Sequence, residues 1–189
     1  MSWFSFKERV QFLWHSKNAH GLHSPFVFAF YNAVKKLEKS SSKVSLKSVD
    51  FSKKEIRLLL AIIHHLKPAS TLIISAKETS NYKSFFSKET KLVYSKSFNE
   101  LLNKGLKHDM IILSNEHSIS REEFLANIQP LINNESVVII PHIHASKEAE
   151  TKWKSLLEEK SIRISMDLFF VGLIFFRKES TKQDFLLRF

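Results

Sequence analysis

The chain has 189 residues, a formal net charge of +10, 3 Gly, 4 Pro and no Cys. Without Cys there is no disulfide, no thiolate zinc site and no cysteine nucleophile, a composition compatible with a reducing compartment. Gly21, Gly105 and Gly172 lie too far apart for G-x-G-x-x-G or G-x-x-x-x-G-K-(S/T), so the dinucleotide and P-loop fingerprints are excluded.

A 43% hydrophobic content that includes 17 Phe suits a packed domain of this length. The apolar runs are far shorter than a membrane span, and the Met1–Arg9 stretch lacks the pattern of a signal peptide, so a cytoplasmic protein without a transmembrane segment is expected. Residues 1–60 hold 11 Lys/Arg against 4 Asp/Glu, and residues 61–189 hold 18 against 15. The basic excess in the first third reads as a solvated lysine-rich face, or as a surface for RNA or an acidic membrane.

Trp3, Phe6, Val10, Leu13 and Trp14 recur at helical spacing and predict an amphipathic first helix with an aromatic face. That face packs on the domain, or meets a partner protein, a membrane surface or a second copy of the chain. Ser24-Pro25 is a helix-start signal for a second helix running to about Glu38, followed by a Ser/Lys-rich connection over 39–47. Ser52 and Glu55 have capping-box spacing ahead of a third helix that ends before Pro68.

Beyond Pro68 the pattern changes. Thr71–Ser75, Leu92–Ser95, Met110–Ser114 and Val137–Ile140 read as buried strands, with helices expected near 79–87, 97–105, 119–131 and 146–159. Ser120 and Glu123 repeat the capping-box spacing. The alternation implies a parallel sheet with right-handed crossovers, an α/β three-layer domain. Ile162–Asp167 and Phe169–Arg177 adjoin each other and predict an antiparallel pair with Gly172 at a bend or close approach; Asp184–Phe189 adds a short edge strand. The division expected is a basic helical extension over 1–50 and an α/β domain over 51–189.

Two stretches carry a resemblance. His20-Gly21-Leu22-His23-Ser24-Pro25-Phe26-Val27-Phe28 resembles the "HG(I/V)HSPFVF" opening of a group of bacterial class I S-adenosylmethionine-dependent methyltransferases. Asp167 to Lys178, with Phe185 to Phe189, is similar to that group's closing hairpin and terminal "F-x-(I/L)-RF". Ile143-His144-Ala145-Ser146 with Trp153 is a weaker match to "DDIHWS" and the tryptophan that follows it. The resemblance implies a Rossmann-like, mostly parallel doubly wound sheet with a C-terminal antiparallel hairpin. It also implies S-adenosyl-L-methionine bound at the carboxyl ends of the first strands, where such sheets bind ligands.

At those ends this sequence departs from the family. The family's acidic residue and glycine loop after the first strand correspond to Ile74, Ala76 and Ser80, and the ribose-binding acid after the second strand corresponds to Ser95. "IDGNH" becomes Leu113-Ser114-Asn115-Glu116-His117, and the "DD" of "DDIH" becomes Pro141-His142. The chain is also short for the family, as though one β/α unit were missing between Tyr82 and Lys107. The expectation is a methyltransferase-like protein with a degenerate cofactor site, a pseudoenzyme in a binding or scaffold role. The alternatives are an active methyltransferase with a rearranged loop, and a basic adaptor for RNA or acidic membrane.

The degenerate cofactor positions are thus Ile74, Ala76, Ser80, Ser95, Ser114 and Glu116, and no catalytic residue is assigned. His20, His23, His117, His142 and His144 are candidate cleft residues. His142 and His144 flank Ile143 just after a strand and are expected to point to one side of the carboxyl edge. With His117 they would form a three-histidine metal site, but spacing gives that reading little weight and no metal is assigned. His64-His65 are read as imidazolium groups favouring a helix C-terminus.

Overall fold

Short apolar runs without polar alternation must be covered on both faces, which calls for helices on both sides of one sheet. The computed structural model describes residues 3–16, 23–40, 52–75, 82–97, 105–113 and 119–189. Its sheet contains β1 (Ser70–Ile74), β2 (Lys91–Ser95), β3 (Met110–Leu113), β4 (Val137–Pro141), β5 (Ile164–Asp167), β6 (Val171–Phe175) and β7 (Gln183–Leu186). Their spatial order is β2-β1-β3-β4-β6-β5-β7. The first four strands are mutually parallel, β6 runs antiparallel to both β4 and β5, and β7 pairs parallel with β5. This is the expected Rossmann-like, mostly parallel doubly wound sheet with a C-terminal antiparallel hairpin. Outside β1 there is one strand, β2, among the described residues.

The three N-terminal helices are α1 (Trp3–His15), α2 (Pro25–Ser40) and α3 (Lys53–Leu66). At the start of α2, Ser24 Oγ accepts from the Val27 N–H at 3.5 Å, and Pro25 takes the first helical position. The capping box of α3 is complete: Glu55 N–H donates to Ser52 Oγ, and Ser52 N–H donates to Glu55 Oε2. The sequence placed helices near 79–87 and 97–105. In the first region Tyr82–Phe85 forms one 3₁₀ turn, and most of the second lies outside the described residues. The expected 119–131 helix opens on the Ser120–Glu123 box as α4 (Arg121–Glu123). It then widens to a π-turn over Phe124–Ile128 and tightens to 3₁₀ over Gln129–Leu131. Pro130 has no N–H with which to continue an α ladder there. α5 spans Lys147–Leu157 and is capped by Ser146 Oγ, which accepts from Ala149 N–H.

Strand alternation sorts the core into two layers. Ile73, Met110, Ile112, Val137, Ile139, Leu173 and Phe175 pack with α2 and α3. Leu72, Ile74, Ile111, Leu113, Val138, Ile140 and Ile174 pack beneath the turns over 124–131 and α5. Val27, Phe30, Tyr31 and Val34 of α2 are buried in the same cluster as α3. No described helix is long and apolar enough to cross a membrane.

Gly172 is the close approach expected from its place in the strand. It pairs with Ile140 on one side and Asp167 on the other, and a Cβ there would stand 2.7 Å from the Trp153 ring. The indole of α5 therefore lies directly on the β6 backbone. Gly172→Ala should destabilise the fold by about 1–3 kcal/mol through overpacking. Combined with Trp153→Leu, the loss should be less than the sum of the two single losses in urea unfolding.

His65 and His108 are held below the ordinary imidazole value by burial. The Lys67 charge reinforces the effect at His65, and Asp109 opposes it at His108. His65 meets Phe30 edge-on, so the expected imidazolium at the helix end is replaced by a ring held toward its neutral form. A lowered folded-state value means that the unfolded chain takes up the proton first. Stability present above the unfolded imidazole value, about 6.5, should be lost as pH falls through and below it. The wild-type unfolding free energy should thus drop between pH 7.5 and 5.5, and the drop should shrink in His108→Gln.

Candidate functional site

The chain leaves β1 toward β2 on one side and later returns to β3 on the other, so the switch point lies outside the carboxyl ends of β1 and β3. Ile74 ends β1, but its side chain is fully buried in the layer under α5 and the turns over 124–131 and presents nothing to that crevice. The β1–β2 ladder continues past Ile74, with Ser75 N–H donating to the Ser95 carbonyl at 2.9 Å. Ser95 is buried at the end of β2, and its hydroxyl donates to the Ser97 carbonyl at 2.7 Å. No carboxylate stands at the ends of β1 or β2 among the described residues. Ala76, Ser80, Ser114, Glu116 and His117 lie outside those residues.

The carboxyl ends of β4 and β5 are richer. β6 lies between them, so the loop after β4 and the turn between β5 and β6 meet at one edge. His144 Nε2 and Asp167 Oδ2 are 2.7 Å apart, and both residues are buried, at 8% and 5% exposure. An ionised carboxylate has only acceptors, so Nε2 donates to Asp167, and in the neutral form of the ring the lone pair is left on Nδ1. That Nδ1 is buried and has no hydrogen-bond partner. Asp167 Oδ1 accepts from the Phe169 N–H at 2.8 Å, and the Phe169 ring stacks on the imidazole with centroids 5.2 Å apart.

Two bulky residues at this edge adopt left-handed backbone: His142 at φ 54° and Phe169 at φ 69°. Each conformation costs on the order of 1–3 kcal/mol and persists only where its surroundings enforce it. His142 is held by its N–H, which donates to the Phe170 carbonyl at 2.7 Å. Phe169 is held by the Asp167 carboxylate and the stacked ring. Strain gathered beside a buried His–Asp pair marks this as the candidate site.

The histidines diverge here, contrary to the expectation that they share one side. His142 Nδ1 lies 3.7 Å from Glu55 Oε1 at the start of α3, while His144 turns toward β5. No cluster of three metal-ligating side chains occurs among the described residues. His23 is exposed just ahead of α2, and His20 lies outside the described residues.

α1 covers this edge through Phe12, which is buried against both His144 and Phe169. Val10, Leu13 and Trp14, three of the five residues of the face seen in the sequence, point outward, and Trp14 is 85% exposed. Beside the pair, an open cleft of about 350 Å³ runs between α1, α5 and the β5–β7 edge. Sequence reasoning named His144 but gave no role to Asp167 or Phe12. A lone acid inside the apolar run 162–176 was the available signal.

No protein-family model matches the sequence, and no curated protein is significantly similar to it. Among solved structures, an SAH-bound methyltransferase of Podospora anserina is 11% identical, with a TM-score of 0.48 over 93% of this chain and 97% of that one. The O-methyltransferase TomG of Streptomyces achromogenes, in complex with SAM, is 12% identical over 75% and 87%, also at 0.48. An O-methyltransferase of Bacillus cereus in complex with SAH is 9% identical over 92% and 98%, again at 0.48.

Asp167→Ala removes both the imidazole partner and the acceptor that holds the Phe169 turn. It should cost about 3 kcal/mol or more in urea unfolding. Asp167→Asn, which retains a carbonyl oxygen for the Phe169 N–H, should cost clearly less.

Proposed function

We propose that this chain is a methyltransferase-like binding protein whose cofactor crevice no longer supports methyl transfer from S-adenosylmethionine. The observation that carries the reading is the end of β2. Ser95 occupies the register position opposite Ile74, and its hydroxyl is turned back onto its own backbone. In the group that the terminal motifs resemble, an acid at that place bonds the ribose hydroxyls, and a second acid follows the first strand.

A charge-assisted bond of this kind contributes roughly 1.5–3 kcal/mol. Losing two of them weakens binding by about a hundredfold or more, at ~1.4 kcal/mol per decade. Ile74 offers no compensation, since its side chain belongs to the core. A retained fold with a disarmed crevice suits a role in binding, with the working chemistry placed elsewhere on the sheet.

Calorimetric titration with S-adenosylmethionine and S-adenosylhomocysteine tests this. The expected result is no saturable binding of either up to about 1 mM, the range in which binding free energy falls to ~4 kcal/mol. A micromolar dissociation constant for either compound would overturn the reading.

A further inference from the structure

We propose that the cleft between α1, α5 and the β5–β7 edge binds a small organic amine with an aromatic body. The proposal is independent of the cofactor reading, because the cleft lies at the opposite end of the sheet from β1 and β2.

Three features define the ligand. The first is the unpaired nitrogen. His144 lines the cleft, its Nε2 is committed to Asp167 at 2.7 Å, and its buried Nδ1 has no hydrogen-bond partner. Such an acceptor calls for an N–H or O–H donor.

The second feature is an exposed carboxylate at the cleft. Asp184 lines the same cleft from β7, and its Oδ1 accepts from Ser165 Oγ at 2.6 Å. No cation pairs with it among the described residues, although the chain carries a net charge of +10. Of the other acids that line the cleft, Glu150 is paired with Lys154, which lines it too, and Asp167 with His144. A cationic ligand would replace water at Asp184 with a charge-assisted contact, which a neutral alcohol makes more weakly and a carboxylate opposes.

The third feature is the lining. Phe12, Trp153 and Phe185 contribute aromatic surface, and a volume of about 350 Å³ is at the lower end of small-molecule sites. The match is to a benzylamine-sized compound whose ammonium faces Asp184 and whose N–H reaches Nδ1.

The test uses three compounds of one shape, benzylamine, benzyl alcohol and benzoate, titrated into the full chain by calorimetry and amide NMR. Benzylamine should bind with a dissociation constant of about 1 mM or tighter, the alcohol about tenfold more weakly, and benzoate not measurably. Asp184→Asn alters an exposed side chain and should weaken amine binding about tenfold while leaving the alcohol unchanged. His144→Gln keeps an N–H directed at Asp167 but has no counterpart of Nδ1, and should weaken both about fivefold or more. Equal binding of amine and alcohol, binding unaffected by both variants, or no binding of any compound up to about 10 mM would overturn the proposal. In the last case a buried water would be the partner of Nδ1.

Discussion

The architecture turns on the insertion of β6 between β4 and β5. Because β6 runs antiparallel to both, its start lies against the carboxyl ends of both neighbours. That placement brings the loop after β4 and the turn before β6 to the same edge, and with them His144 and Asp167. The insertion requires a residue without a side chain where Trp153 lies on the strand, and Gly172 supplies it. The pair, the left-handed Phe169 and the docking of Phe12 all follow from this one strand.

The two ends of the sheet's carboxyl edge thus differ in chemistry. At β1 and β2 no described residue is acidic, the Ser95 hydroxyl donates to the Ser97 carbonyl, and the last side chain of β1 is buried. At β4 to β6 there are a buried His–Asp pair, an acceptor nitrogen without a partner and two strained residues. Backbone strain and an unsatisfied buried group oppose stability, and they persist where neighbouring contacts enforce them. Among the described residues, the polar chemistry of this edge is therefore gathered at β4 to β6.

Much of the fold was legible in the sequence. The boxes at Ser52–Glu55 and Ser120–Glu123 and the start at Pro25 are local, so spacing reveals them. The final hairpin was readable from two adjacent apolar runs around one glycine. The π-turn at Phe124–Ile128 was not, because helical periodicity does not register how hydrogen bonds shift ahead of Pro130. Periodicity found α1 but not the contact that docks it. Val10, Leu13 and Trp14 of the predicted face are exposed, and the contact with the domain is made by Phe12 against His144 and Phe169. The His144–Asp167 pair spans 23 residues and depends on strand order, which no local pattern encodes. Of the cofactor positions, Ser95 and Ile74 are now placed, the one closed onto its backbone and the other in the core.

The central claim is that the buried imidazole of His144 is fixed by Asp167 with Nδ1 left as an open acceptor. The most direct test is a long-range proton–nitrogen NMR spectrum of the histidine rings, recorded where His144 is neutral and assigned with His144→Gln. The account predicts a protonated Nε2 and an unprotonated Nδ1 for this ring, and loss of that fixed tautomer in Asp167→Ala. A His144 ring protonated on Nδ1, or one averaging between tautomers in the wild-type chain, would contradict it.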